Sequence, residues 1–180
     1  MEALYHGRKD SHTSGDRRGE EIFEIGYPSS PLGPLRILGL ASAVLEVKFC
    51  KTEVPSIDDS GPEMLLVCRS QLDEYFRGKR KIFDLKLELR GTAFQKRVWR
   101  QLLRIPYGET RSYKDIARAV GNSQAVRAVG MANGRNPISI IIPCHRVIGI
   151  KGDLVGYGGE LWRKQWLLDH EKDGVSLKAT

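Results

Sequence analysis

The residues best suited to chemistry stand side by side in the second half of the chain, where Cys144 and His145 follow Pro143. Three consecutive isoleucines precede the proline, and a β-branched run that meets a proline indicates a rigid segment ending in a fixed turn. A free cysteine has a pKa of about 8.5, so a nucleophilic thiol needs a nearby base or cation to form the thiolate. His145 is the nearest candidate for that base. The alternative interpretation is a buried cysteine beside a structural histidine, because adjacency in sequence does not establish contact.

Four helices are expected in the half of the chain that carries this pair. The first begins at Thr92 and ends before Pro106, and the others cover residues 112–120, about 123–133 and about 161–171. Thr92 followed by Gln95 is a capping-box pattern, and Gly121 is placed to end the second helix. Two short helices separated by a glycine turn resemble a helix-turn-helix, although helical hairpins that touch no DNA show the same pattern.

The first half of the chain alternates short apolar stretches with turn signals. Strands of a small antiparallel sheet are predicted at residues 22–27, 35–40 and 43–49, and a half-buried strand at residues 83–89. Between them, apolar residues from Leu65 to Phe76 have helical spacing, with Gly78 as the stop. We predict a polar tail at residues 1–20, an N-terminal domain at 21–90 and a C-terminal domain at 91–175.

Composition and charge narrow the class of protein. The 180 residues carry a net charge of +7, and the excess is confined to residues 91–180, where 15 basic residues face 7 acidic ones. This excess of positive charge favours a surface that contacts phosphates, and the alternative is a basic face that is only solvated. The chain has no apolar run of about 20 residues and no signal-like start, so we expect no membrane contact and a cytoplasmic location, or a nuclear one if the source is eukaryotic. Three cysteines without metal-ligand spacing predict free thiols.

Further motifs accompany the Cys-His pair across residues 91–171. They are Gly91-Thr92-Ala93-Phe94-Gln95, Val98-Trp99, Ile105-Pro106-Tyr107-Gly108-Glu109-Thr110, Ser112-Tyr113, Arg127-Ala128-Val129-Gly130, Ala132-Asn133-Gly134, Asn136-Pro137, Gly156-Tyr157 and Leu167-Leu168 through Glu171. Together with Pro143-Cys144-His145-Arg146-Val147, this series is similar in order and spacing to the motifs of the O6-alkylguanine-DNA alkyltransferases, also called methylated-DNA–protein-cysteine methyltransferases. The first 85 residues match that family only in outline.

The resemblance implies an α/β protein of two domains, a small ribonuclease-H-like sheet domain followed by a winged-helix-like domain with the helix-turn-helix. It implies direct DNA repair, in which an alkyl group moves irreversibly from O6 of guanine to Cys144, with O4 of thymine left open as a second target. Each molecule accepts one group, and neither a cofactor nor a metal is expected. The implied partner is double-stranded DNA containing O6-alkylguanine, bound through its minor groove by a protein expected to be a monomer.

The resemblance assigns catalytic roles to Cys144, His145, Glu171, Tyr113 and Asn136. Cys144 attacks the alkyl carbon, His145 draws the thiol proton through a water, and Glu171 polarises the imidazole. Tyr113 donates to a ring nitrogen of the leaving guanine, and Asn136 pins the turn before Cys144. For Glu171, a surface carboxylate at a helix end is the alternative interpretation.

The same resemblance points to a DNA-binding set and a substrate pocket. Arg127 enters the base stack in place of the flipped nucleotide, whereas the alternative is a surface arginine paired with an acid. The predicted DNA-binding residues are Arg127, Ala125, Ala128, Gly130 and Ser112. The predicted pocket residues are Tyr157, Gly158, Gly159, Val147 and Pro143, and the paired glycines predict an open pocket that tolerates groups larger than methyl. Cys50 and Cys68 are predicted to be core thiols.

Two other classes of function remain open from the sequence. One is a non-catalytic DNA-binding regulator that recognises alkylated bases, and the other is a Cys-His hydrolase. Neither requires stoichiometric self-alkylation, which distinguishes both from a repair protein.

Overall fold

The computed structural model describes residues 14–15, 18–51, 61–155 and 160–176. Its first half is a four-stranded antiparallel sheet in the order β1 to β4, with β1 at Ser14–Gly15, β2 at Glu21–Tyr27, β3 at Leu35–Leu40 and β4 at Ala43–Phe49. The three longer strands confirm the sequence prediction. β1 was not predicted. Its residues, Ser14 and Gly15, belong to the expected polar tail but pair with the start of β2.

Helix α1, Glu63–Phe76, covers one face of this sheet. The sheet register places Ile25 opposite Ile37 and Ile37 opposite Val47, and all three side chains are buried. Leu65 and Leu72 face them from α1 and are also buried. Gly78 follows the helix with a φ of 70°, a left-handed conformation that glycine adopts without a Cβ penalty. The predicted helix and its stop are therefore present.

Residues 83–89 do not form the strand predicted from their alternation. Only Leu87 bridges to the sheet: the Val44 amide donates to Lys86 O at 2.8 Å and the Glu88 amide donates to Val44 O at 3.0 Å. Further along the same edge, β4 pairs with Ile138 instead. Because two separate segments share one strand edge, neither builds a full ladder.

The second half is predominantly helical. It contains α2 at Ala93–Leu102, β5 at Arg111–Ser112, α3 at Tyr113–Ala119, α4 at Val126–Gly134, β6 at Val147–Ile148 and α5 at Leu161–Ser176. The capping box of Thr92 and Gln95 is formed at the start of α2, and α3 and α4 make the helix-turn-helix. α4 begins later than expected because the Ala125 amide bonds to Asn122 O in a turn. α5 runs past Glu171, its expected end.

The isoleucine run before Pro143 forms a tight turn and no strand. Ile140 is fully buried and has a φ of 73°, a conformation that costs a β-branched residue about 1–2 kcal/mol. The turn closes through a bond of 2.9 Å from the Ile142 amide to Ile138 O. Turn hydrogen bonds and burial, and not a strand, therefore hold the segment that precedes Cys144.

Two core features bear on the sequence predictions. Trp99 is buried in α2 and its indole donates to Ala132 O at 2.8 Å, which locks α2 against α4. Cys68 is buried as predicted, whereas Cys50 is only partly buried and lies outside the core. No helix in the described ranges is long and apolar enough to cross a membrane.

Candidate active site

Cys144 opens a single 3-10 turn, Cys144–Arg146, and only 4% of its surface is exposed. Its amide donates to Ile142 O at 2.7 Å, and its carbonyl accepts a bond of 3.3 Å from Asn133 Nδ2 on α4. The thiol is therefore held from the turn before it and from the helix-turn-helix.

Asn136 organises the turn that carries the thiol. Its Nδ2 donates to Ile142 O at 2.8 Å and to the sulfur of Cys144 at 3.0 Å. Its Oδ1 accepts a bond of 3.0 Å from the Ile138 amide. Asn136 thus binds both the backbone of the turn, where the sequence places its role, and Sγ itself.

His145 is fully buried and directs Nε2 at Glu171 Oε1, 2.9 Å away. Because a carboxylate accepts, this bond assigns the ring proton to Nε2 and leaves Nδ1 as the acceptor. Nδ1 is buried and has no hydrogen-bond partner in the described part of the chain. The imidazole of the residue after Cys144 therefore has an unengaged basic nitrogen.

Glu171 is a buried carboxylate with several donors, and the alternative of a surface carboxylate is wrong. Arg146 grips both oxygens, with Nε at 2.8 Å from Oε2 and Nη2 at 2.9 Å from Oε1. The Gly108 amide donates to Oε2 at 3.0 Å, and the Tyr75 hydroxyl donates to Oε1 at 2.8 Å. A buried charge requires this degree of pairing.

Burial and hydrogen bonding set the protonation states of Cys144, His145 and Glu171. Burial raises the pKa of the Cys144 thiol, although the Asn136 bond and the Lys164 charge oppose this rise. Burial lowers the pKa of His145, and the bond to Glu171 only partly offsets it. Burial alone would raise the pKa of Glu171, but the bonds from His145 and Arg146 and the Arg146 charge hold it well below its usual range. The resting site is a thiol, a neutral imidazole and a carboxylate.

Lys164 is a site residue that the sequence reasoning missed. It is fully buried on α5, and Nζ donates to Val147 O at 2.6 Å and to Val155 O at 2.9 Å. Burial lowers its pKa to about 8, and its charge lowers the pKa of Cys144. The signal was available: residues 164, 167, 168 and 171 share the spacing of one buried helix face, and its first and last members are charged.

Tyr113 begins α3 and is mostly buried. Its hydroxyl donates to Val155 O at 2.7 Å, the carbonyl that also accepts from Lys164. Burial and the neighbouring Cys144 raise its pKa to about 12, so the phenol remains a donor at neutral pH.

The predicted DNA-binding residues lie on the helix-turn-helix. Arg127 and Ala128 are exposed on α4, and Ala125 and Gly130 are partly exposed. Ser112 has a structural task, because its hydroxyl accepts from the Asp115 amide as the cap of α3. Met131, absent from the prediction, is 59% exposed on the same helix, one turn after Arg127.

The predicted pocket residues are only partly covered by the structure. Tyr157, Gly158 and Gly159 lie outside the described residues. Pro143 is buried, and Val147 is a core side chain with no exposed surface. Val147 therefore serves the site through its backbone, by pairing with Arg111 and accepting from Lys164.

Two family models match the chain. The ribonuclease-like domain of 6-O-methylguanine DNA methyltransferase covers residues 25–89, and the DNA-binding domain of the same protein covers residues 93–173. A methylated-DNA–protein-cysteine methyltransferase from Mycobacterium leprae is 51% identical over 154 residues, which are 84% of this chain and 93% of the relative. The chain belongs to the methylated-DNA–protein-cysteine methyltransferase family. Its function is direct repair of alkylated DNA by transfer of the alkyl group to a cysteine.

Solved methyltransferase structures have the same two-domain α/β fold. The O6-methylguanine methyltransferase of Mycobacterium tuberculosis is 46% identical, with a TM-score of 0.76, and the match covers 87% of this chain and 98% of that one. A structure of Mycobacterium tuberculosis OGT in complex with DNA is 47% identical, with a TM-score of 0.73, and covers 84% of this chain and 92% of that one. With a family DNA-binding domain over its second half, this methyltransferase has DNA as its partner.

Proposed function

We propose that Cys144 is the acceptor cysteine and that the donor is O6 of an alkylated guanine, with O4 of alkylated thymine as a second substrate to be tested. The observation that carries the assignment is the series of buried polar groups that begins at the residue after Cys144. A neutral imidazole with an unengaged Nδ1 follows Cys144 directly, and its Nε2 is bound to a carboxylate that is itself fully paired. Cys50 and Cys68 have no such neighbours in the described part of the chain.

The first proposed step is activation of the thiol. The Cys144 proton moves to Nδ1 of His145, through a water, and the resulting imidazolium is stabilised by Glu171 at 2.9 Å from Nε2. The thiolate that forms is stabilised by the Asn136 Nδ2 bond of 3.0 Å and by the Lys164 charge. This thiolate–imidazolium pair forms only during the reaction, so the resting thiol is protected from side reactions.

The second step is an in-line displacement at the alkyl carbon. A carbon-sulfur bond forms at Cys144 as the carbon-oxygen bond breaks, and the electron pair moves onto the guanine. Tyr113, with its pKa raised to about 12, donates a hydrogen bond from its hydroxyl to a guanine ring nitrogen, which replaces Val155 O as the acceptor. A thioether has no ready leaving path, so each molecule acts once and needs no cofactor.

Access to the base requires extrusion from the duplex. In this proposal α4 enters the minor groove, where Ala125, Ala128 and Gly130 permit close approach and Arg127 fills the gap left by the flipped nucleotide. Ser112, which caps the start of α3, completes the proposed set of DNA-binding residues. The protein acts as a monomer in the compartment that holds the genome, the cytoplasm of a prokaryote or the nucleus of a eukaryote.

The deciding experiment is peptide mass spectrometry after mixing the protein with a duplex containing one O6-methylguanine. One methyl group on the peptide that contains Cys144, in equimolar amount to repaired guanine, supports the proposal. The Cys68→Ala protein, which lacks only a core thiol, is the matched control and should react normally. A methyl group on Cys50, or repair with no mass gain on Cys144, contradicts the proposal, and the absence of any transfer would favour a damage-recognising regulator.

A further inference from the structure

A groove of about 790 Å³ runs between α2 and the extended residues 83–89. Leu85, Leu87, Leu103 and Ile105 form part of its apolar lining. Ile82, at one end, is 80% exposed although it is a large apolar side chain. No described residue of α3 or α4 lines the groove, so it is separate from the helix-turn-helix surface.

One wall of the groove is the outer backbone edge of residues 83–89, which meet the sheet only through the bridge at Leu87. The carbonyl of Lys86 and the amide of Glu88 bond to Val44. Because backbone groups of successive residues point to opposite sides of an extended chain, those of Leu85 and Leu87 point away from the sheet. The amides of Leu85 and Leu87 have no hydrogen-bond partner among the residues that the structure describes. An extended chain with a free edge is a template for a further strand.

The other wall carries a row of cations. Lys96, Arg100 and Arg104 follow each other at four-residue intervals, which places them on one side of α2 and the turn that follows it. Lys86 adds a fourth cation from the opposite wall. None of these four has an ion pair within the described ranges, whereas Glu88, the carboxylate in the lining, is already bound by Arg18 and Arg90. The positive charge of the groove is therefore uncompensated.

We propose that this groove binds an extended acidic segment of a partner protein, which adds as a strand along residues 83–89. The cations select acidic side chains, the free edge matches peptide amides, and the leucine floor accepts the alternate apolar side chains. An eight-residue segment suffices, because residues 83–89 span roughly 20 Å at about 3.3 Å per residue.

A peptide fits the groove better than a single-stranded nucleic acid does. Single strands bind by stacking bases on aromatic side chains, whereas the apolar part of this lining is mainly aliphatic, with Phe83 and Tyr107 as its aromatic members. Phosphate oxygens also only accept hydrogen bonds, so they cannot pair with the backbone carbonyls of this edge. No described residue of α4 lines the groove, so the proposed peptide leaves the proposed DNA-binding helix uncovered.

The test uses a fluorescein-labelled eight-residue peptide of alternating Asp and Val, titrated into the full chain by fluorescence anisotropy. Arg100→Glu should weaken binding about tenfold or more, because it reverses a charge in the groove. Arg97→Glu is the matched control, since Arg97 is exposed on the same helix, outside the groove and over the Phe94 ring. It should change the affinity less than twofold. Equal loss in the two variants would mean unspecific charge attraction and would overturn the proposal.

Amide hydrogen exchange tests the mode of binding. Bound peptide should slow exchange at Leu85 and Leu87 at least tenfold, and unchanged exchange at these amides would rule out strand addition. A ten-nucleotide oligothymidine is the competing probe. If it binds more tightly than the peptide and Arg100→Glu abolishes that binding, the groove is a nucleic-acid site and the peptide proposal is wrong. Neither measurement involves alkyl transfer, so the result is independent of the reaction proposed for Cys144.

Discussion

The hydroxyl of Tyr75, on α1, lies 2.8 Å from Oε1 of Glu171, on α5 at the other end of the chain. Both side chains are fully buried. Burial, together with the charge of Glu171, raises the pKa of Tyr75 well above its usual value, so the phenol stays protonated and donates. The sheet half of the molecule thus supports a carboxylate of the site directly.

Replacing Tyr75 with Phe removes that donor while preserving the ring. A hydrogen bond to a buried charge contributes about 1.5–3 kcal/mol, so the free energy of unfolding should fall by about that amount. The transfer rate per folded molecule should also fall severalfold, because Glu171 holds His145. Tyr107→Phe is the control: its hydroxyl makes a longer bond of 3.3 Å to His170 O. Equal effects of both substitutions on the rate would contradict a positioning role for Tyr75.

Glu171→Gln should slow transfer at least tenfold, because a neutral amide does not stabilise the imidazolium. It should also destabilise the fold by about 3–5 kcal/mol, since it leaves the Arg146 guanidinium buried without its partner charge. The double variant Glu171→Gln with Arg146→Met separates the two effects. It should recover stability in urea unfolding and remain slow in single-turnover transfer from free O6-benzylguanine. A normal rate per folded molecule in the single variant would remove Glu171 from the mechanism.

Arg127→Ala should slow repair of duplex DNA at least tenfold and leave the reaction with free O6-benzylguanine within twofold of normal. The free base needs no extrusion, so only the duplex reaction depends on filling the base stack. Arg118→Ala is a suitable control, because Arg118 is exposed on α3 and pairs with Asp115 at 3.6 Å. Equal slowing of both reactions by Arg127→Ala would argue against its extrusion role.

The rate with a free-base substrate should fall with acid, but only below pH 6.5. Burial lowers the pKa of His145 from 6.5, so Nδ1 remains a proton acceptor through that pH. Stability should fall over an overlapping range, because the unfolded state binds a proton at His145 near pH 6.5 and the folded state does not. The pKa of Glu171 is also lowered, so its contribution is complete above its usual pKa and is lost as the pH falls. Single-turnover rates and urea unfolding across this range provide the check, and a loss of rate on acidification that is centred above pH 6.5 would contradict it.

Lys164→Met should make the Cys144 thiol less reactive. The charge of Lys164 lowers the pKa of that thiol, so its removal should raise this pKa. Each unit by which the pKa rises reduces the thiolate fraction about tenfold near neutral pH. Alkylation by iodoacetamide, followed against pH, reports this pKa without any DNA. Lys172→Met, at an exposed position of the same helix, is the control and should leave the pH profile in place. An unmoved profile in Lys164→Met would show that the lysine acts only by tying α5 to the Val147 and Val155 carbonyls.

Local chemistry in the sequence determined much of this protein. The three longer strands, the stop at Gly78, the cap of α2 and the paired helices of the helix-turn-helix follow from patterns that extend over only a few residues, and the structure contains all of them. Such features are readable because their hydrogen bonds and apolar faces are set by near neighbours along the chain. The roles predicted for Cys144 and His145 rest instead on the resemblance of residues 91–171 to the family, because the adjacent pair alone left a structural cysteine and histidine open.

Tertiary structure alone decided which residues complete the site. The alternation at residues 83–89 has the period of a strand, yet the β4 edge is shared with Ile138 and only one bridge forms. Tyr75 lies 96 positions from Glu171, and no local pattern relates the two residues. Arginine and lysine side chains usually lie at the surface. The fold instead buries Arg146 against the Glu171 carboxylate and Lys164 against two backbone carbonyls. Burial turns each into a group that must be paired, and the partners depend on the packing of distant elements, which sequence periodicity does not encode.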